Sequence, residues 1–103
     1  MGTYVQQVPC KFVSLPVSTS TPTYLDVQSF PFPLTVSVLP AGGGTLNVFY
    51  STTPNAAGKL EAASWIQWPS GVQTGNFSDA VISPVSGLKF VAATANGVAE
   101  VNG

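Results

Sequence analysis

The chain has no histidine, no arginine, a single cysteine and little charge: three lysines (Lys11, Lys59, Lys89) and four acids (Asp26, Glu61, Asp79, Glu100) among 103 residues. Each shortage bears on a class of function. Histidine is the usual general base, the usual activator of serine or cysteine nucleophiles and the commonest metal ligand, so its absence argues against those chemistries. One Cys or His in total is too few for a zinc site. The four acids fall on separate segments, neither paired as a glycosidase needs nor clustered as calcium needs, and they read as solvated surface charges. Gly42-Gly43-Gly44 lacks the Lys-Ser/Thr and the helix that follow a phosphate loop, and reads as a hairpin loop. Asn76-Phe77-Ser78 fits the glycosylation pattern. The opening residues MGTYVQQVPCKF, however, lack the basic start and apolar stretch of a signal peptide, so export by the usual route is not expected. The expectation is a protein without catalytic residues, cofactors or metal ions.

The same shortages narrow the partners. Three scattered lysines make no basic patch, which argues against nucleic acid. Every apolar run is broken well short of about 18 residues, which argues against membrane insertion. Cys10 has no cysteine to pair with and reads as a small buried hydrophobe. Charged residues are 7% of the chain, against about 25% in ordinary soluble domains. Two readings fit: a hydroxyl-coated domain that tolerates low charge, or a surface largely covered in an assembly, since net charge near zero favours association.

What is present is apolar and alternating. Hydrophobic residues make up 45% of the chain and aromatics 11%, enough for one packed domain over residues 1–103. Short alternating segments separated by proline and glycine predict an all-β, antiparallel β-sandwich of about seven to nine strands, jelly-roll or immunoglobulin-like. The candidate strands are Tyr4–Val8, Lys11–Leu15, Tyr24–Gln28, Leu34–Leu39, Thr45–Ser51, Ser64–Trp68, Asp79–Ser83, Leu88–Thr94 and Gly97–Val101. Prolines are expected between them or at their ends. Residues 55–63 (NAAGKLEAA) read as a loop with at most one helical turn, and Ser29–Pro33 as extended. Two hairpins can be registered. Pairing Val38 with Leu46 puts Leu34, Val36, Val38, Leu46, Val48 and Tyr50 on one face. A type I′ turn at Asn96-Gly97 pairs Ala95 with Val98 and puts Leu88, Phe90, Ala92, Ala99 and Val101 on one face, with Lys89 and Glu100 opposite.

Aromatic placement supplies the candidate contact residues. Trp65 and Trp68 are three apart, so a strand points them to opposite faces. Trp65 is assigned to the core and Trp68, beside Pro69 at the strand end, to a contact surface. Phe49 falls on the polar face of its strand, Phe30 and Phe32 share a side of a proline-rich segment, and Phe77, like Trp65 and Trp68, is a stacking platform in the sugar-binding alternative. Phe30, Phe32, Phe49, Trp68 and Phe77 are therefore the candidate partner contacts, because aromatics are enriched in interface cores. Covering of both sheet faces by loops is the competing explanation, and stacking on sugars a third.

The run GGGTLNVFYSTTPNAAGKLEAASWIQWPSGVQTGNFSDAVISPVSGLKFVAATANGVAEV resembles the small β-sandwich virion proteins of tailed bacteriophages. The likeness spans roughly residues 34 to 101. It lies in Ser/Thr/Gly/Ala-rich strands, scarce charge, a YSTTP strand end, a Trp-Pro turn and a closing LKF…NG hairpin. The resemblance implies a non-enzymatic structural protein of the virion, with capsid decoration or cement proteins as the best-known class. Such a protein would assemble in the host cytoplasm, oligomerise (a trimer is one possibility), and bind the major capsid protein or another virion protein. It would attach by burying apolar and hydroxyl surface and by edge-strand pairing. The alternative is a carbohydrate- or receptor-binding module of a phage fibre or tail.

Overall fold

The computed structural model describes residues 11–53, 63–81 and 85–103. The expected strand Tyr4–Val8, Cys10, Lys59, Glu61 and nearly all of the segment 55–63 lie outside the described residues. Eight strands are seen: β1 (Phe12–Val17), β2 (Thr23–Asp26), β3 (Leu34–Pro40), β4 (Thr45–Ser51), β5 (Ile66–Gln67), β6 (Phe77–Val81), β7 (Gly87–Ala93) and β8 (Gly97–Asn102). They form two four-stranded sheets with every pair antiparallel, one ordered β1-β8-β3-β6 and the other β2-β7-β4-β5. We call these sheets A and B. Apart from β4 to β5, each step along the described strands crosses from one sheet to the other. Eight strands in that order make a jelly roll.

The strands form where apolar residues recur every second position, because period two is the period of the pleat. Leu34, Val36 and Val38 of β3 are fully buried, as are Leu46 and Val48 of β4, Leu88 and Phe90 of β7, and Ala99 and Val101 of β8. They form one core with Val17, Val27, Phe30, Trp68, Val85 and Ala92. Removing a side chain such as Leu46 from this layer would cost about 2–5 kcal/mol. The two buried polar residues, Ser51 and Ser86, are satisfied, whereas Asn47 Oδ1 is a buried atom without a hydrogen-bond partner among the described residues. The Ser86 amide and hydroxyl both donate to the Ser51 carbonyl, at 2.8 and 2.9 Å, and the Ser51 hydroxyl accepts from the Thr53 amide at 3.1 Å.

Both expected hairpins are absent, although the faces assigned through them are correct. Val38 pairs with Ala99 and Phe77, not with Leu46; Leu46 pairs with Ala92. β3 and β4 therefore lie in opposite sheets and meet across the core, as do β7 and β8. Gly97 is the first residue of β8, and neither it nor Asn96 has the positive φ that a type I′ turn requires. Gly97 is needed for space instead: a Cβ there would come within 2.9 Å of Leu46 Cδ1 and 3.0 Å of the Leu39 carbonyl oxygen. Asn96 ties down the β1–β2 connection, its Oδ1 accepting from the Thr19 amide at 3.0 Å. The β3–β4 arch turns at Ala41–Gly44, closed by a 2.8 Å bond from the Gly44 amide to the Ala41 carbonyl. Gly43 there has φ +81°, as the third position of a type II turn demands.

Two smaller expectations also change. Pro16 sits inside β1, which is an edge strand where the missing donor is tolerated. The stretch expected to be extended begins with a turn: the Phe30 amide bonds the Val27 carbonyl at 3.0 Å, and the Gln28 amide bonds Asp26 Oδ1 at 2.9 Å.

Cross-linking distinguishes this topology from the hairpin register. In a Cys10→Ser background, Thr35→Cys with Asn102→Cys should close an intramolecular disulfide, since these residues oppose each other on β3 and β8 and neighbouring strands bring Cα atoms within disulfide range. Ser37→Cys with Asn47→Cys, adjacent in the hairpin register, should not close. Free-thiol counting on oxidised monomer decides; closure of the second pair alone would refute the strand order.

Candidate contact surfaces

The five candidate aromatics do not form one site. Phe30 and Trp68 belong to the core, 6% and 4% exposed, and Phe32 packs against it half-buried. Phe77 is 37% exposed and meets the Trp68 ring edge-to-face with centroids 5.9 Å apart. Phe49 lies half-buried on the outer side of sheet B. The two tryptophans are thus reversed from expectation. Pro69 does not push Trp68 outward, because the chain turns there: the Gly71 amide bonds the Trp68 carbonyl at 3.1 Å, and the indole Nε1 donates to the Gly71 carbonyl at 2.8 Å. The turn satisfies the one polar atom of the indole, which lets the ring be buried.

Trp65 instead completes a cluster on the outer face of sheet B. In the register, Tyr24, Lys89, Phe49 and Gln67 form one row across all four strands. Trp65 precedes β5, yet its ring lies 5.7 Å from that of Tyr24 on the far edge strand. The Lys89 ammonium sits 4.5 Å from the Phe49 centroid and 5.5 Å from that of Trp65, within cation–π range. Outward pointing of Lys89 and Phe49 was readable from alternation. Their meeting with Tyr24 and Trp65 was not, because it depends on β7 lying between β2 and β4.

The outer face of sheet A differs. Its rows are Phe12, Asn102, Thr35 and Ala80; then Ser14, Glu100, Ser37 and Ser78; then Pro16, Val98 and Leu39. Phe12 is 56% exposed and Val98 36%. The Ser37 and Ser78 hydroxyls share a 2.7 Å hydrogen bond. Glu100 is the single ionisable group in these rows.

The sheet edges carry features that oppose strand addition. β2 has four residues and β5 only two. β1 contains Pro16, which cannot donate a ladder hydrogen bond. On β6, Asp79 pairs with the inward-facing Val36, so a carboxylate stands on the inner side of an edge strand. Short edges, edge prolines and inward charges are the usual protections against edge-to-edge pairing. Asp79 accepts from the Ser70 hydroxyl and, at 2.8 Å, from the Ala80 amide. The Ser70 bond first, and the Ala80 amide second, hold its carboxyl below the usual carboxylate range, against a small opposing desolvation.

No family model matches the chain, and neither a curated protein nor a solved structure matches it. No group of three or more potential metal ligands occurs among the described residues.

Two measurements check these placements. Trp68→Ala should lower the unfolding free energy by about 3–5 kcal/mol, as for a buried aromatic. Phe77→Ala should lose about 1 kcal/mol, the scale of an edge-to-face pair. Equal, small losses would place Trp68 on the surface. The Asp79 carboxyl is depressed in the folded state, so its contribution is present above the unfolded value of 3.8 and is lost as pH falls through the lower folded value. Ser70→Ala removes the main cause. The gap in unfolding midpoint between wild type and Ser70→Ala should therefore be present near neutral pH and narrow below pH 3.8; a gap independent of pH would mean that Ser70 does not bond an ionised carboxylate.

Proposed function

We propose that the chain is a non-enzymatic structural protein of a virus particle, a decoration or cement protein that binds the shell of a tailed bacteriophage. The observation that carries this reading is the outer face of sheet A, a broad, nearly uncharged surface of apolar and hydroxyl side chains on a jelly-roll sandwich. A free soluble domain gains little from such a face, whereas a protein that is seated on a shell buries it. The residue inventory supports the same reading, since histidine is lacking throughout, and so does the resemblance carried by residues 34 to 101. Attachment by a face also suits the protected edges better than strand pairing does. The protein would act in the virion, assembled in the host cytoplasm, on the major capsid protein or another virion protein, as a small homo-oligomer such as a trimer.

A second reading has its own observation. The Tyr24, Phe49 and Trp65 cluster offers rings in the same row as the exposed amide of Gln67, a combination suited to carbohydrate, as in a receptor-binding module of a fibre or tail. Copy number separates the two. A shell protein should be present in hundreds of copies per purified particle, and its removal should lower the temperature at which the particle melts. A few copies per particle, together with glycan binding by the isolated domain, would favour the second reading.

A further inference from the structure

We infer that the outer face of sheet A is the surface that seats on the shell, and that the shell protein meets it with an apolar strip beside a lysine or arginine facing Glu100. This rests on the shell-protein reading above and names the contact within it. Pro16, Val98 and Leu39 lie side by side on β1, β8 and β3, an apolar strip about 10 Å across at the usual strand spacing. Phe12, at 56% exposure, stands on the same face. Sheet B is unlike it: there Trp65 and Lys89 lie over the face, in contact with Tyr24 and Phe49. Among the described residues, no ring or cation is recorded over the strip on sheet A.

Glu100 sets the chemistry of the partner. It is half-buried on an inner strand, between Ser14 and Ser37. The two described lysines are engaged elsewhere: Lys11 bonds Ser29 Oγ at 3.0 Å and lies over Phe30, and Lys89 is on the opposite sheet. Seating this face on an apolar surface would bury an unpaired carboxylate, which is strongly unfavourable unless a cation meets it. Among the described residues, a second copy placed two-fold on this face does not supply one. A two-fold contact centred on this face matches like with like and brings two Glu100 carboxylates together. Nucleic acid is disfavoured by sign. The occupant that fits is therefore a different protein with a positive group set in an apolar surround.

The test uses particles stripped of the protein and re-decorated with purified full-length variants, with occupancy read by densitometry. Val98→Glu and Glu100→Lys should each weaken binding at least tenfold while leaving the unfolding midpoint of the free protein nearly unchanged. Ala93→Glu, on the outer face of sheet B, should bind as wild type. Glu100→Gln should bind more weakly than wild type; tighter binding would overturn the cationic partner. Should Val98→Glu fail to fold, the two Glu100 variants still decide. Wild-type occupancy by both sheet A variants would overturn the docking face and leave the structural role standing. Loss confined to Ala93→Glu would move the contact to sheet B. A free dimer dissolved by Glu100→Lys or Val98→Glu would make the occupant a second copy and overturn the inference. Wild-type protein that does not bind particles would overturn both readings.

Discussion

The structure depends on one layer of apolar side chains trapped between two sheets that are joined almost wholly by arches. Because nearly every connection crosses the core, neither sheet can form from neighbouring segments of chain. β8 has to find β1 and β3, and β7 has to find β2 and β4, before either sheet exists. The contact between inward faces is therefore what pulls distant strands into register, and the ladders then satisfy the backbone groups that this burial removes from water. A local hairpin could nucleate by itself; this arrangement relies on long-range contacts, the kind that fold slowly.

The arches impose a second demand, close packing of backbone at the ends of the sandwich. Gly44 and Gly97 meet this demand by lacking a side chain. A Cβ on Gly44 would stand 3.0 Å from Ala95 Cβ, so the β3–β4 and β7–β8 arches rest on one another there. At Gly97 the crowding comes from Leu46 and Leu39, linking the start of β8 to the core. Both glycines matter because of what lies opposite them in space rather than because of their own dihedral angles.

With the interior filled in this way, the two outer faces are left to diverge. Sheet B draws a tryptophan and a lysine stem across itself and so shields part of its own surface. Sheet A keeps rows of hydroxyls crossed by an apolar strip, with a single carboxylate among them. Among the described residues, the short edges, the edge proline and the inward carboxylate of Asp79 oppose strand addition.

The sequence by itself determined the fold class, the approximate limits of most strands and the inward or outward face of the alternating residues of β3, β4, β7 and β8, though not of the two tryptophans. All of these follow from period-two alternation and from the punctuation of proline and glycine, which are local properties. Leu34, Val36, Val38, Leu46, Val48, Leu88, Phe90 and Val101 were legible as one core for that reason. Tertiary structure alone decided which strand lies beside which. An inward-facing strand satisfies the same pattern whether its partner is next to it in the sheet or across the core, so the β3–β4 and β7–β8 hairpins looked complete in the sequence and are not formed. The make-up of the outer faces depended on that undetermined order. Tyr24, Lys89, Phe49 and Trp65 gather only because β7 separates β2 from β4, and Trp68 is buried because the four-residue turn Trp68–Gly71 supplies the acceptor its indole needs. Alternation assigns a side; the partner on that side is set by the long-range packing of the whole chain.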